Sequence, residues 1–278
     1  MIKYGYMTLQ IDTVADKLVF AGARFLLAGA AVFLVAWIRE RCVPTVPRGL
    51  IGGAVLYGVL QTGLMYILNY IGVAHTSATK TAILTAGSAF FAVLFAPLFF
   101  REERLTAMKL IGAAVGLAGI VVVNLGDLGG GFTLTGEGFV LLATLLNTAG
   151  SFVGKRVSKG RVFTMTAYQL MIGAALILAV GFIMGGTFVM SVQGMWITLY
   201  LAFVSAAAFS LWTALLVYHE AGSILVYNLL IPIFGAMWSY LILGETNILD
   251  PMYILSIALI GIGIFSVNYH KKSRRNLS

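Results

Sequence analysis

Nine apolar stretches, each long enough to cross a lipid bilayer, constrain the fold of this chain more than any other feature. A transmembrane helix needs about 20 mostly apolar residues to cross a hydrocarbon layer about 30 Å thick. Only 10% of the residues are charged, whereas a soluble chain usually carries about 25%. The sequence therefore predicts an all-α, multi-pass membrane protein. The predicted spans are 14–37, 50–70, 77–100, 105–124, 137–154, 163–184, 192–214, 222–243 and 251–269.

Basic residues gather in alternate loops and in the C-terminal tail. Lysine and arginine are retained on the cytoplasmic side of a membrane, so this alternation predicts a cytoplasmic C-terminus. We expect the membrane to be a prokaryotic plasma (inner) membrane. A nucleic-acid-binding surface would instead collect the charge on one face, so the net charge of +8 indicates a lipid bilayer as partner and no nucleic acid. Fourteen of the 18 basic residues follow this pattern: Arg39, Arg41, Arg48, Arg101, Arg104, Lys109, Lys155, Arg156, Lys159, Arg161, Lys271, Lys272, Arg274 and Arg275.

The first eleven residues look like the end of a further helix that is too short to span the membrane. The charge alternation places Asp12 and Asp16 outside. A complete helix before them would begin inside and raise the total to ten. We therefore expect a truncated first helix, either through a wrongly assigned start or as a feature of this chain.

An internal repeat relates the two halves of the chain. An offset of 144 residues aligns 105–124 with 249–268, with seven of twenty positions identical, and it aligns Phe90 with Phe234 without a gap. The predicted repeats are residues 1–130 and 131–278, each with five helices when the incomplete first helix is counted. Because five is odd, the halves must have opposite orientations, as in many secondary transporters.

Several motifs resemble the EamA-type transporters of the drug/metabolite transporter superfamily. They are ARF (23–25), YIGVAHTSATKTAIL (70–84), FFREERLT (99–106), KLIGAAVGLAGIVVVN (109–124) and LGE (243–245). The resemblance implies a ten-helix inverted-repeat bundle that moves a small polar metabolite, such as an amino acid, outward by alternating access. Two alternatives stay open: a carrier of phosphate-bearing or nucleotide-sugar metabolites with the same fold, and a structural or receptor-like bundle. A homodimer also stays open.

Two charged side chains stand out within the hydrocarbon region of the predicted spans, where charge is costly and therefore indicates function. Arg24 lies near mid-depth, and we interpret it as a structural charge that contacts helix-end carbonyls or polar side chains. Lys80 lies about one turn inside the outer end. It either extends to the interface or pairs with a substrate carboxylate or phosphate as a point charge. The central part of the spans contains no Asp or Glu, so we expect transport without a buried proton relay.

Polar and aromatic residues at helical spacing supply the candidate substrate contacts. Packing and hydrogen bonding between helices are the alternative roles for each of them. Pro232 is a hinge candidate, because proline removes the helical partner of the Asn228 carbonyl. The substrate-binding candidates are Tyr66, Asn69, Lys80, Leu84, Asn147, Trp212, Tyr227 and Asn228.

The remaining sequence features indicate close packing of helices, and they include no signature of an enzyme or of a metal site. The pairs Gly112-xxx-Gly116 and Gly181-xxx-Gly185 predict close contact between helices. A Walker loop and the HExxH and GxSxG contexts are absent from the sequence. The single cysteine, Cys42, offers no thiolate metal site. We therefore expect neither an enzyme nor a protein with a cofactor or metal.

Overall fold

The computed structural model describes residues 6, 9, 11–123, 132–187, 192–231, 233, 234, 237 and 251–275. This part of the chain is helical and contains no β-strand. A 3₁₀ turn, Arg48–Leu50, opens α2, while π turns lie inside α2 at Val59–Leu64 and open α5 at Leu134–Gly138. The helices are α1 (Val14–Glu40), α2 (Arg48–Ala74), α3 (Ala78–Phe99), α4 (Ala107–Val123), α5 (Leu134–Val157), α6 (Val162–Ile183), α7 (Val192–Tyr218), α8 (Ala221–Leu225) and α9 (Pro251–Arg275).

Seven helices in the described residues are long and apolar enough to cross a membrane: α1, α2, α3, α5, α6, α7 and α9. The helix α4 is apolar but shorter. The prediction of an all-helical, multi-pass membrane protein is therefore confirmed, whereas the number of nine complete spans stays a prediction. The predicted span 222–243 is described without gaps only as far as residue 231, and in this part α8 continues into the 3₁₀ turn Val226–Leu229. Pro232, the hinge candidate, lies outside the described residues.

The chain forms two compact units, and each takes residues from both halves of the sequence. The first unit consists of Met1–Ala74 and Ala149–Tyr218, and the second of His75–Thr148 and His219–Ser278. In the first unit, small residues let α1 lie close against α6. A Cβ atom added at Gly22 would lie 2.6 Å from Cγ of Leu178, and one at Gly181 would lie 2.8 Å from Cγ2 of Val19. Glycine permits this separation because it has no side chain to intervene.

The second unit brings α4 against α9 through glycines of both helices. A Cβ atom added at Gly263 would lie 2.6 Å from the carbonyl oxygen of Gly112 and 2.8 Å from Cα of Gly116. The predicted packing role of Gly112 and Gly116 is therefore confirmed. The same prediction was wrong for Gly185, where a Cβ atom would meet nothing within 4 Å. Gly185 has a φ of +80°, a conformation that glycine adopts readily, and it follows the end of α6.

Candidate functional site

Lys80 lies in the first turn of α3 and is paired with a carboxylate of the same unit. Ser77 precedes the helix, and its Oγ accepts the backbone N–H of Lys80 at 3.2 Å. The start of a helix carries partial positive charge, so a cation there is disfavoured unless an anion compensates it. Glu137 supplies that anion, because the Nζ of Lys80 lies 2.8 Å from its Oε1.

A π turn at the start of α5 positions Glu137. Thr133 precedes this turn, and its Oγ1 accepts the backbone N–H of Gly136 at 3.2 Å. In return, Oε2 of Glu137 accepts the backbone N–H of Thr133 at 2.8 Å and its hydroxyl at 2.7 Å. These reciprocal bonds resemble a capping box, with one residue more between the partners, as a wider turn requires. The sequence Thr133–Glu137 therefore aims the carboxylate by local geometry.

The Glu137 carboxylate connects three segments of the second unit. Besides Lys80 and Thr133, the hydroxyl of Thr76 donates to Oε1 at 2.8 Å. The two charged side chains are largely withdrawn from solvent, with 15% of the Lys80 side chain and 8% of the Glu137 side chain exposed. Neither sequence-based interpretation of Lys80 included an ion pair with Glu137. A substrate anion would therefore have to share Lys80 with this carboxylate or replace it.

One face of α3 carries Lys80, Leu84 and Ser88, because residues four apart lie on the same side of a helix. Leu84 is half-buried and Ser88 is fully buried. The Nδ2 of Asn228 donates to Oγ of Ser88 at 3.1 Å. Three of the predicted candidates, Lys80, Leu84 and Asn228, are thus associated with this α3 face. The two polar residues of this face differ, because Lys80 is charged whereas Ser88 makes a neutral hydrogen bond to the side-chain amide of Asn228.

The two other substrate-binding candidates of the second unit are Tyr227 and Asn147. Tyr227 is 43% exposed, in the 3₁₀ turn that also holds Asn228. Asn147 is half-buried on α5. Its neighbour Thr144 donates its hydroxyl to the carbonyl of Val140 on the same helix at 2.9 Å. The Thr144 hydroxyl is therefore used inside the helix.

In the first unit, Arg24 and Tyr66 lie around the ring of Phe25. The Cζ of Arg24 lies 4.5 Å from the ring centroid, while the Tyr66 ring meets Phe25 edge-on at 4.6 Å. Arg24 is 5% exposed, and its Nε makes no hydrogen bond within the described part of the chain. A cation over an aromatic face is stabilised electrostatically, more strongly away from water. The contact that the structure shows for Arg24 is thus with the Phe25 ring, while the carbonyl or polar partners expected from the sequence stay a prediction.

The other candidates of the first unit are Asn69 on α2 and Trp212 on α7, and both are half-buried. Tyr66 also packs beside Tyr70, with ring centroids 6.2 Å apart. The hydroxyl of Tyr70 accepts a hydrogen bond from Tyr6 at 3.2 Å. Tyr66 therefore belongs to an aromatic cluster within its own unit.

A buried polar cluster at the π turn of α2 contains two glutamines, Gln61 and Gln169, that the sequence-based prediction missed. The hydroxyl of Ser151 donates to Oε1 of Gln61 at 3.4 Å, and Nε2 of Gln169 donates to Oγ1 of Thr62. Close approach of α5 makes this possible, since a Cβ atom at Gly150 would lie 2.5 Å from Oε1 of Gln61. Single π turns inside α-helices often mark functional positions. The sequence feature that could have revealed this cluster was the presence of Gln61 and Gln169 in the middle of apolar spans.

Apolar helices long enough to cross a membrane, with buried polar and charged contacts between them, define a helical membrane protein. The model of the EamA-like transporter family matches residues 4–125 and 134–269. The chain therefore belongs to the EamA-like transporter family. Membership in this family and the names of its relatives point to transport rather than to an enzyme.

Three curated relatives cover most of this chain. The uncharacterized transporter YvbV of Bacillus subtilis is 27% identical over 94% of this chain and 85% of its own length. A probable amino-acid metabolite efflux pump of Salmonella typhimurium is 26% identical over 89% and 84%. An S-adenosylmethionine/S-adenosylhomocysteine transporter of Chlamydia muridarum is 25% identical over 94% and 85%.

A solved structure supports the fold of the whole chain. A protein crystal structure superposes on it with a TM-score of 0.80 and 17% identity, covering 100% of this chain and 94% of its own. At this identity the similarity shows the fold alone.

Proposed function

We propose that this chain is a secondary transporter that moves a small polar metabolite with an α-amino acid group out of the cell by alternating access. The observation that carries this proposal is the family match over both halves of the chain. Two relatives add the substrate class, since they are named for amino-acid metabolites and for S-adenosylmethionine and S-adenosylhomocysteine. All of these compounds can present an ammonium group beside a carboxylate.

The proposed architecture is the ten-helix inverted repeat. The family model matches the chain in two stretches, 4–125 and 134–269, which correspond closely to the predicted repeats 1–130 and 131–278. Inverted repeats give a transporter two similar halves that can rock around a central binding site. The curated relatives are bacterial or archaeal, which supports a prokaryotic plasma membrane. The basic loops and the basic tail support a C-terminus inside.

The charges of the candidate site favour a zwitterion over a phosphate. Lys80 and Glu137 form one balanced pair, so an α-amino acid could place its carboxylate on Lys80 and its ammonium near Glu137 without changing the net charge. A phosphate would meet the negative charge of Glu137, and like charges at close range repel each other. Leu84 and Asn228 would contact the rest of the substrate from the same unit. Tyr66, Asn69, Asn147, Trp212 and Tyr227 remain candidate contacts.

Counterflow into proteoliposomes tests this function. Vesicles preloaded with a neutral amino acid, S-adenosylmethionine or glucose 6-phosphate would be assayed for uptake of the same labelled compound. We expect exchange of at least one α-amino acid compound and none of glucose 6-phosphate. Exchange of the phosphate alone would favour the phosphate-carrier alternative. No exchange of any compound, by protein that is folded and oriented, would favour the non-transporting bundle.

The Lys80→Gln variant tests the site. It removes the charge that would bind the substrate carboxylate, and loss of one charge-assisted hydrogen bond should raise the KM about tenfold or more. Lys109→Gln is a matched control, because Lys109 pairs with Glu220 at 2.9 Å and its side chain is 12% exposed. If both variants raise the KM equally, the effect reflects lost ion pairing and not substrate contact.

A further inference from the structure

An open cavity of about 500 Å³ lies within the first unit, at the end of α1, the start of α6 and the end of α7. Arg39 and Glu40 line it from α1, Arg161 and Phe163 from the start of α6, and Tyr218 from α7. The predicted orientation puts these helix ends on the cytoplasmic side, where the basic loops lie. The cavity is separate from every residue assigned above to substrate binding.

The charged groups around this cavity leave positive charge in excess. The Glu40 carboxylate is engaged with the start of α6, because the buried hydroxyl of Thr164 donates to it at 2.6 Å. Arg161 is exposed, and one of its five N–H donors reaches the carbonyl of Thr45 at 3.4 Å. The Cζ of Arg39 lies 5.2 Å from the centroid of the Phe163 ring. Two arginines and one glutamate thus give the cavity wall one net positive charge.

Exposed apolar side chains approach the cavity along two helices. On α1, Val35 is 47% exposed, and Ile38, which directly precedes Arg39, is 70% exposed. On α7, Leu211 is 66% exposed and Leu215 is 43% exposed, and both share a helical face with Tyr218. Within the part of the chain that the structure describes, these side chains are exposed, and in a membrane such surface contacts acyl chains.

We propose that this cavity binds the phosphate group of an anionic phospholipid, whose acyl chains lie along the exposed residues of α1 and α7. The guanidinium forks of Arg39 and Arg161 match phosphate oxygens in geometry and charge. Basic pockets between transmembrane helices on the cytoplasmic side are suited to anionic headgroups. The apolar surface beside the pocket favours a lipid over a soluble phosphate with the same headgroup chemistry.

Thermal unfolding of the purified full chain in a neutral detergent tests this site. The unfolding temperature would be measured during titration with phosphatidylglycerol, phosphatidylcholine or sn-glycerol 3-phosphate. A ligand that binds only the folded state raises the unfolding temperature as its concentration exceeds its Kd. We expect phosphatidylglycerol to stabilise the chain at lower concentration than the other two compounds. Phosphatidylcholine carries the same phosphate, but its choline cation balances that charge, so its equal potency would refute selectivity for an anionic lipid and overturn the proposal. Saturation by glycerol phosphate at the same concentration would identify a soluble-anion site instead.

Charge variants locate the binding. The double substitution R39Q/R161Q should weaken the apparent affinity for phosphatidylglycerol about thirtyfold, from the usual contribution of two arginines near an anionic surface. The control R101Q/R104Q removes two exposed arginines that do not line the cavity, and it should change the affinity less than about threefold, since exposed charges are screened by salt. Equal weakening in both double variants would show diffuse attraction and refute the site.

A substitution that should tighten lipid binding keeps the proposal testable if the double variant does not fold. Glu40→Gln removes the negative charge of the cavity wall and keeps an acceptor for Thr164, so it should bind phosphatidylglycerol more tightly. The single substitution R161Q should bind it more weakly, by about fivefold. If R39Q/R161Q does not fold, these two variants decide the result. An unchanged affinity in both of them would overturn the proposal.

Discussion

Replacing Glu103 with glutamine tests whether one buried carboxylate holds the loop after α3 against the start of α8. Glu103 belongs to the FFREERLT motif and is 4% exposed. Its Oε1 accepts the backbone N–H of Ala221 at 2.7 Å, and its Oε2 accepts that of Gly222 at 3.1 Å. The first amides of a helix have no partner within it. Glu103 therefore satisfies two buried donors that would otherwise be unpaired.

The cost of this substitution follows from the two hydrogen bonds. Each bond to a charged acceptor contributes about 1.5–3 kcal/mol, and a neutral bond about 1 kcal/mol. Glutamine keeps one carbonyl oxygen and turns an NH₂ group toward the other amide. The net loss should therefore be about 2–5 kcal/mol of local stability. Since about 1.4 kcal/mol corresponds to a factor of ten, the smallest expected effect is about thirtyfold in the local opening equilibrium.

Hydrogen exchange measures this opening directly, because amides exchange when their segment opens. In Glu103→Gln, the amides of Ala221 and Gly222 should exchange at least about thirtyfold faster than in the unmodified chain. Glu102→Gln is the matched control, because the neighbouring glutamate is exposed and carries the same charge. Unchanged exchange in Glu103→Gln would refute the capping argument. Equal acceleration in both variants would show that net charge in the loop matters, and not the two hydrogen bonds.

Two further predictions concern coupling and packing. Because the central part of the predicted spans contains no Asp or Glu, an imposed pH gradient should change liposome flux less than about twofold at constant voltage. Uphill accumulation driven by that gradient would contradict this. Gly173→Ala should lower the unfolding temperature, because the new methyl group would overlap Thr62, and overpacking costs about 1–3 kcal/mol. Gly261→Ala is the control, since nothing lies within 4 Å of its Cβ position, and an equal loss there would refute the packing argument.

The membrane-spanning character of the chain could be predicted from residue order alone. Inside lipid, every backbone N–H and C=O must be paired within the protein, so a long apolar stretch has the α-helix as its simplest solution. The observed α1 and α6, at Val14–Glu40 and Val162–Ile183, accordingly cover the predicted spans 14–37 and 163–184 within a few residues. The glycine pair at Gly112 and Gly116 was predictable for a similar reason, because close helix packing in lipid depends on small side chains.

The partners of the polar side chains could not be predicted in this way. Lys80 was identifiable as a costly charge near a helix end, yet its partner Glu137 lies 57 positions away in the sequence. Ser151 and Gln61 are separated by 90 positions. Nothing in the local order of residues states which helix will lie beside which. Their burial and hydrogen bonding depend on how α2, α3 and α5 meet their neighbours.

The sequence by itself determined that this chain lies in a membrane as helices and where most of those helices begin and end. These properties depend on the hydropathy and spacing of residues that are neighbours along the chain. Only the tertiary structure decided that Glu137 neutralises Lys80 and that Glu103 caps α8. A charge or a buried donor requires a partner, but the partner is chosen by helix packing, which brings together residues far apart in the sequence.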